Sequence, residues 1–190
     1  MTNTTIQLSK FLSYVLRHDP GSIGLTLDEH GWADVNMLLS QANAAGQSIT
    51  MDLLQQVIRD NDKQRFALSP DGKMIRANQG HSIKVNLALE DIEPPQQLFH
   101  GTATRFLETI RRQGLKPASR HDVHLSVDRE TAVKVGSRHG TPAVLIIDST
   151  SMYRDGYTFQ CSANGVWLTQ QVPAQYILFP DQFPNHQSKQ

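Results

Sequence analysis

The chain has 190 residues, 38% hydrophobic and 19% charged, with 18 Lys+Arg against 18 Asp+Glu. Such a composition belongs to a soluble globular protein of one ordinary domain or two small ones, and it excludes collagen, coiled coil and wholesale disorder. A single cysteine, Cys161, excludes an internal disulfide and a four-cysteine zinc site.

The start lacks an apolar run behind a basic region, and no stretch approaches the roughly 20 apolar residues of a membrane span. A cytoplasmic monomer with no membrane contact is therefore expected. Residues 1–93 hold 8 Lys+Arg against 11 Asp+Glu, and residues 94–190 hold 10 against 7. Neither half is a bulk polyanion binder, so an anionic ligand would need a small local cluster of cations.

In chain order, Leu8, Phe11, Leu12, Val15 and Leu16 form one apolar helical stripe. Arg17 falls opposite that stripe and His18 at its edge, which aims Arg17 at solvent. Asp19-Pro20-Gly21 stops the helix. A second helix carries Val35, Leu38, Leu39 and Ala42, with Asp34 as N-cap and Gly46 as stop. A third carries Leu53, Leu54, Val57 and Ile58 behind Thr50. Arg65-Phe66-Ala67-Leu68 and Met74-Ile75-Arg76-Ala77 then read as a hairpin closed by Ser69-Pro70-Asp71-Gly72. Helix, helix, helix, hairpin is the order of a winged-helix module, expected over residues 1–93.

Pro94-Pro95 marks the boundary to a second lobe, expected over 94–180. Gln97 to His100 reads as a strand ending at Gly101-Thr102, followed by a helix with Phe106, Leu107 and Ile110 on one face. Asp122 to Ser126 alternates as a strand, Arg129 to Val135 reads as a helix, and Ala143 to Ile147 as a buried strand. Gly165 to Leu168 and Tyr176 to Phe179 complete a strand-rich α+β lobe. Residues 181–190 read as a flexible tail.

The sequence contains neither a G-x-G-x-x-G after a strand nor a P-loop. Zinc-type Cys/His spacing is also missing. His121, His124 and His139 lack nearby carboxylates or cysteines, so no metal site is expected. Four other residues stand out: Arg17 and His18 at the end of the first helix, Arg65 at the hairpin, and Arg120 before the His124 strand. Each has a plain alternative. Arg17 suits a helix C-terminus, Arg65 can pair with Asp60 or Asp62, and Arg120 can be loop surface. Trp32 and Trp167 read as core aromatics, Cys161 as an inert half-buried thiol, and Gly101 and Gly140 as turns or as points of close backbone approach to a ligand.

The run Leu12-Ser13-Tyr14-Val15-Leu16-Arg17-His18 resembles the opening motif of the NAD-dependent RNA 2′-phosphotransferases. The same family is resembled by Lys63-Gln64-Arg65-Phe66, Ile75-Arg76-Ala77-Asn78-Gln79-Gly80-His81-Ser82 and Phe99-His100-Gly101-Thr102. So it is by Arg120-His121-Asp122-Val123-His124-Leu125-Ser126, Val135-Gly136-Ser137-Arg138-His139-Gly140 and Asn164-Gly165-Val166-Trp167-Leu168. These motifs stand in the family's order and span nearly the whole chain, as in a bacterial member.

The resemblance implies a winged-helix lobe, an ADP-ribosyltransferase-like lobe and a cleft between them. It implies an essential set at Arg17, His18, Arg65 and Arg120, and NAD binding at His100, Gly101, Thr102, His124, Ser126 and Arg138. The implied reaction transfers an internal RNA 2′-phosphate to NAD through an ADP-ribosylated 2′-phosphate. Its products are 2′-hydroxyl RNA, ADP-ribose 1″,2″-cyclic phosphate and nicotinamide, with tRNA splicing junctions as one setting. Arginine forks suit the phosphate, and a histidine suits proton transfer or phosphate binding.

Residues 156–180 contain no Asp or Glu, which argues against a glutamate-assisted attack by protein side chains. Two rivals stand beside this reading: ADP-ribosylation that caps terminal nucleic-acid phosphates, and a non-enzymatic winged-helix nucleic-acid binder.

Overall fold

The computed structural model describes residues 3–61 and 63–182. The chain is mixed helix and sheet and divides into two compact units. The first comprises Met1–Leu89 together with Ser119–His121, and the second Glu90–Ala118 together with Asp122–Gln190. No helix among the described residues is long and apolar enough to cross a membrane.

In the first unit, helix α1 (Asn3–Arg17) buries Leu8, Leu12, Val15 and Leu16, the stripe expected from their spacing. Asp19 then accepts from the Ser22 amide at 3.0 Å and caps a short 3₁₀ turn that begins at Pro20. Helix α2 (Val35–Ala44) starts at Asp34, whose carboxylate accepts from the Met37 amide at 2.8 Å. Gly46 takes φ +85° beyond its end, where side chains are disfavoured. Helix α3 (Met51–Arg59) is capped by the Thr50 hydroxyl, which accepts from the Leu53 amide at 3.2 Å.

The hairpin forms as expected from β2 (Phe66–Leu68) and β3 (Met74–Ala77). A two-residue strand, β1 (Ala33–Asp34), adds to it in the order β1-β3-β2, all antiparallel. Two residues carry no readable alternation, which is why β1 was not visible in the sequence. The three helices and the hairpin share one core through Leu12, Leu16, Leu38, Leu54, Phe66 and Ile75.

The second unit contains two three-stranded antiparallel sheets. One has the order β4 (Gln97–Ala103), β6 (Pro142–Asp148), β9 (Ile177–Leu178). The other has the order β5 (Val123–Leu125), β8 (Trp167–Thr169), β7 (Gln160–Cys161). They are linked where Phe99 and Ser126 exchange both backbone hydrogen bonds at 2.8 Å. Strand β4 runs straight through Gly101-Thr102, where the sequence suggested an end.

Helix α4 (Leu107–Gln113) buries Ile110, but Phe106 is exposed rather than on the buried face. Phe106 belongs to the 3₁₀ turn before α4, and the Arg105 guanidinium covers its ring at 4.8 Å. Helix α6 (Ser149–Arg154) was not readable from its hydroxyl-rich sequence, which has low helix propensity. A local cap and one tertiary bond supply it: Asp148 accepts from the Ser151 amide at 3.0 Å, and the Ser149 hydroxyl donates to the distant Pro95 carbonyl at 2.6 Å. Asp181 and Gln182, read as the start of a tail, sit in a 3₁₀ turn where the Asp181 carboxylate pairs with Arg111. Residues 183–190 of that expected tail lie outside the described residues.

Helix α5 (Arg129–Gly136) lies directly against β4. A Cβ on Gly101 would sit 1.8 Å from the Ala132 carbonyl oxygen, and one on Gly136 would sit 2.5 Å from that of Thr102. Neither obstacle is a side chain that can swing away. Gly101→Ala is expected to destabilise the protein by about 3 kcal/mol, the upper end of overpacking costs. Gly46→Ala, with open space around it, is expected to lose only about 1 kcal/mol through its backbone angle. Urea unfolding of the two variants checks the contrast.

Candidate functional site

The end of α1 is where the sequence expectation and the structure part. Arg17 is 8% exposed and does not point into open solvent. The chain beyond β3 returns over it: the Ser82 amide donates to the Arg17 carbonyl at 3.0 Å. On its other side the Arg17 Nη2 approaches the Arg65 carbonyl oxygen at 3.5 Å. Helical geometry placed Arg17 correctly opposite the apolar stripe; a second layer of chain buried it there.

Among the described residues no acid neutralises the burial. None of the ion pairs among the described residues includes Arg17, and its buried Nε has no hydrogen-bond partner. Burial, then the positive charges of Arg65 and Arg120, push the Arg17 pKa down to about 10. Arg65 and Arg120 are thus near enough to disfavour the charge on Arg17, which brings together three of the four singled-out residues. Arg120 belongs to the Ser119–His121 segment that clusters with the first unit.

Arg65 is aimed by the turn before β2. Asn61 is 2% exposed, and its Oδ1 accepts from Arg65 Nη1 at 3.3 Å and from the Lys63 amide at 3.2 Å. Its Nδ2 donates to the Ser9 hydroxyl on α1 at 3.0 Å. Gln64 holds φ +41°, and Asn78 bonds both neighbours, donating its side-chain amide to the Gln64 carbonyl and its backbone amide to Arg65. Left-handed non-glycine backbone persists where the surroundings over-determine it.

His18, the fourth residue, is exposed at the rim. Its Nδ1 lies 2.9 Å from the Ser82 hydroxyl, which orients the ring and leaves Nε2 as its remaining polar atom. Partial burial, Arg17 and Arg120 lower its pKa, so the ring is neutral at pH 7. Arg17, His18 and Arg65 line one cavity of about 520 Å³ with Ser13, Asn61 and Lys63. The described lining contains no carboxylate. Several cations around one cavity suit a multiply charged anion that accepts several hydrogen bonds.

Sequence reasoning assigned no role to Ser82, Asn61 or His81, although His81 and Ser82 close one of the quoted motifs. Their signal was available: polar residues flanking a hairpin that neither helical nor strand period requires. His81 is 4% exposed, and its Nε2 faces the Cα side of Gly31 with no hydrogen-bond partner. Trp32, expected in the core, is half-buried and carries the Arg76 guanidinium over its ring at 4.5 Å. Trp167 is buried as expected. Cys161 is half-buried with its pKa raised by burial, as an inert thiol should be.

The residues set aside for a cofactor lie in the second unit. His100 on β4 is half-buried, and its Nδ1 sits 3.0 Å from the His124 carbonyl of β5. A carbonyl only accepts, so Nδ1 carries the proton. Burial lowers the pKa against the opposing pull of that hydrogen bond, leaving a neutral ring whose Nε2 is an acceptor. Ser126 belongs to the β4–β5 link through its backbone. Thr102 is buried beside Gly136, and Arg138 is exposed just after α5. The close approach of α5 accounts for the absent side chain of Gly101. His121, His124 and His139 do not form a metal cluster: no group of three or more His, Cys, Asp or Glu among the described residues is placed to hold a metal ion.

Residues 3–171 match the family described as RNA 2'-phosphotransferase, Tpt1/KptA family. The chain belongs to this family. Its relatives include a protein of Agrobacterium fabrum that is 59% identical over 169 residues, covering 89% of this chain and 91% of its own. One from Burkholderia pseudomallei is 57% identical over 172 residues, 90% and 94% of the two chains, and one from Pseudomonas aeruginosa is 54% identical over 170 residues, 89% and 93%. All three bear the name "Probable RNA 2'-phosphotransferase".

The buried His81 makes stability depend on pH. Burial, followed by Arg17, His121, His18 and Arg76, lowers its pKa to about 4. The unfolded chain binds that proton near pH 6.5 and the folded chain near 4, so stability is complete above 6.5 and is lost as pH falls towards 4. His81→Gln is expected to flatten the slope in this window by up to ~1.4 kcal/mol per pH unit. Urea midpoints from pH 7.5 to 4 in both proteins measure it.

Proposed function

We propose that this RNA 2'-phosphotransferase family member is an enzyme that removes an internal 2′-phosphate from RNA by transferring it to NAD. The observation that carries the reading is the buried, acid-free Arg17 with an unpartnered Nε beside Arg65, Arg120 and neutral His18. A buried guanidinium with an open donor suits a ligand that brings negative charge to it.

On this reading Arg17, Arg65 and Arg120 hold the phosphate through forked hydrogen bonds and stabilise the charge that develops on its oxygens. The phosphate is already an anionic nucleophile, so the first displacement needs positioning more than a base. His18, neutral and oriented by Ser82, exchanges a proton in the second step, at the attacking ribose hydroxyl or the departing RNA oxygen.

The second unit's donor set fits NAD. His100 offers Nε2 as an acceptor for a ribose hydroxyl, and exposed Arg138 offers charge for a pyrophosphate. His124 and Ser126 hold β5 against β4 beside it, and the backbone of Gly101 and Thr102 runs under α5. NAD supplies the ribose carbon that receives the phosphate and the nicotinamide that leaves. The sequence of events is an ADP-ribosylated 2′-phosphate, then 2′-hydroxyl RNA and ADP-ribose 1″,2″-cyclic phosphate.

The three helices and hairpin of the first unit support the winged-helix reading, and the paired antiparallel sheets of the second support the ADP-ribosyltransferase-like one. We place the lobes at residues 1–93 and 94–180, with RNA and NAD as the partners of a cytoplasmic monomer.

The test is a short RNA with one radiolabelled internal 2′-phosphate, incubated with protein and EDTA, with and without NAD. Label is expected in ADP-ribose cyclic phosphate only when NAD is present. Label halted on ADP-ribosylated RNA would favour the capping reaction, and no transfer by folded protein would favour the non-enzymatic binder. In this assay Arg120→Ala is expected to lower kcat by about 10²–10³-fold, the loss on removing one preorganised charge-stabilising donor. His18→Ala is expected to accumulate the ADP-ribosylated RNA, visible as a retarded labelled band.

A further inference from the structure

Helix α1 has a second working face. Leu8, Leu12, Val15 and Leu16 enter the core, but Ile6, Lys10 and Tyr14 recur every four residues on another side and line the cavity that holds Arg17. Ile6 is 41% exposed and Tyr14 50% exposed. A solvated helix face ordinarily carries charged and small polar groups, and one exposed apolar residue there would need no explanation. Here an aliphatic, an aromatic and a lysine share one concave surface with further cations and no described carboxylate.

Tyr14 is held at its far end. Its hydroxyl donates to Asp19 Oδ2 at 3.0 Å, and its ring centroid lies 6.5 Å from that of His18, inclined by 45°. A tethered ring with exposed area beside His18 is a platform for a flat ligand. Lys10 enters none of the ion pairs among the described residues. It precedes Arg17 by two helical turns, about 10 Å along the axis. One phosphate cannot engage both, but a strand with a charge on every nucleotide can.

We propose that the cavity continues along α1 as a track for the RNA strand flanking the 2′-phosphate, with Lys10 on a neighbouring phosphodiester and Tyr14 stacked on a neighbouring base. This rests on the RNA reading above. Stacking platforms interleaved with cations are how proteins hold single strands without reading sequence. The track therefore predicts a preference for strand length over base identity.

The test uses the full chain and a labelled four-nucleotide RNA without a 2′-phosphate, with binding followed by anisotropy across a salt series. Lys10→Ala is expected to weaken binding severalfold and to lower the slope of log K against log salt by about 0.7, the value for one lost single-strand phosphate contact. Tyr14→Ala is expected to weaken binding about tenfold with the slope unchanged, and Tyr14→Phe, which keeps the ring and loses the tether, to recover most of it. A merely structural role for either residue would not separate affinity from slope in this way. In turnover, lengthening a 2′-phosphorylated dinucleotide by two nucleotides is expected to raise kcat/KM, and both alanine variants to lose that gain.

Unchanged binding and unchanged length dependence in both variants would overturn the track. Displacement of the RNA by poly-glutamate at equal charge would also overturn it, in favour of an acidic-peptide surface. Binding as expected with no turnover of any substrate would overturn the dephosphorylation reading and leave the track standing.

Discussion

A guanidinium buried among like charges is the constraint around which the first unit is arranged. Arg17 loses most of its hydration and, among the described residues, gains no carboxylate, only the edge of the Arg65 carbonyl. Such a group is held by structure that is stable for other reasons. The apolar stripe of α1 anchors the helix, and the loop beyond β3 locks its end through the Ser82 amide. The unfavourable charge arrangement is maintained by packing that lies elsewhere. An anion entering the cavity would find donors already oriented and desolvated, the condition under which electrostatic stabilisation is most effective.

The same loop explains how one residue governs two. Ser82 fixes the Arg17 backbone through its amide and the His18 ring through its hydroxyl, while the adjacent His81 is buried. Neutral histidines belong in this environment because burial, and then the surrounding cations, penalise a further proton. The electrostatics that favour an anionic ligand also set the protonation state of the side chain available for proton transfer.

The second unit solves a different problem by backbone contact. Gly101 and Gly136 let α5 rest on β4 with no side chain between them, and β4 in turn meets β5 through Phe99 and Ser126. His100 is carried on that strand and is given its tautomer by the His124 carbonyl of β5. Its acceptor nitrogen is a consequence of how the strands are linked, not of local sequence.

Local sequence determined the elements wherever a period or a cap expresses itself over neighbouring residues. The α1 stripe, the Asp34 and Thr50 caps, the turn before Met74 and the apolar run of β6 are of this kind. The ordered motifs also identified the family, because residue identity at many separated positions is far more specific than any one of them. Tertiary structure decided what depends on distant residues. It buried Arg17, which helical geometry alone left facing solvent, and anchored Asn61, the partner of Arg65, on the distant Ser9 of α1. It added strand β1 and helix α6, too short or too poor in propensity to announce themselves, and turned Gly101 from a turn candidate into a packing requirement. Burial, like-charge proximity and tautomer are set by groups 50 or more residues apart in some cases, such as Ser82 and His18 at 64, and no local pattern encodes them.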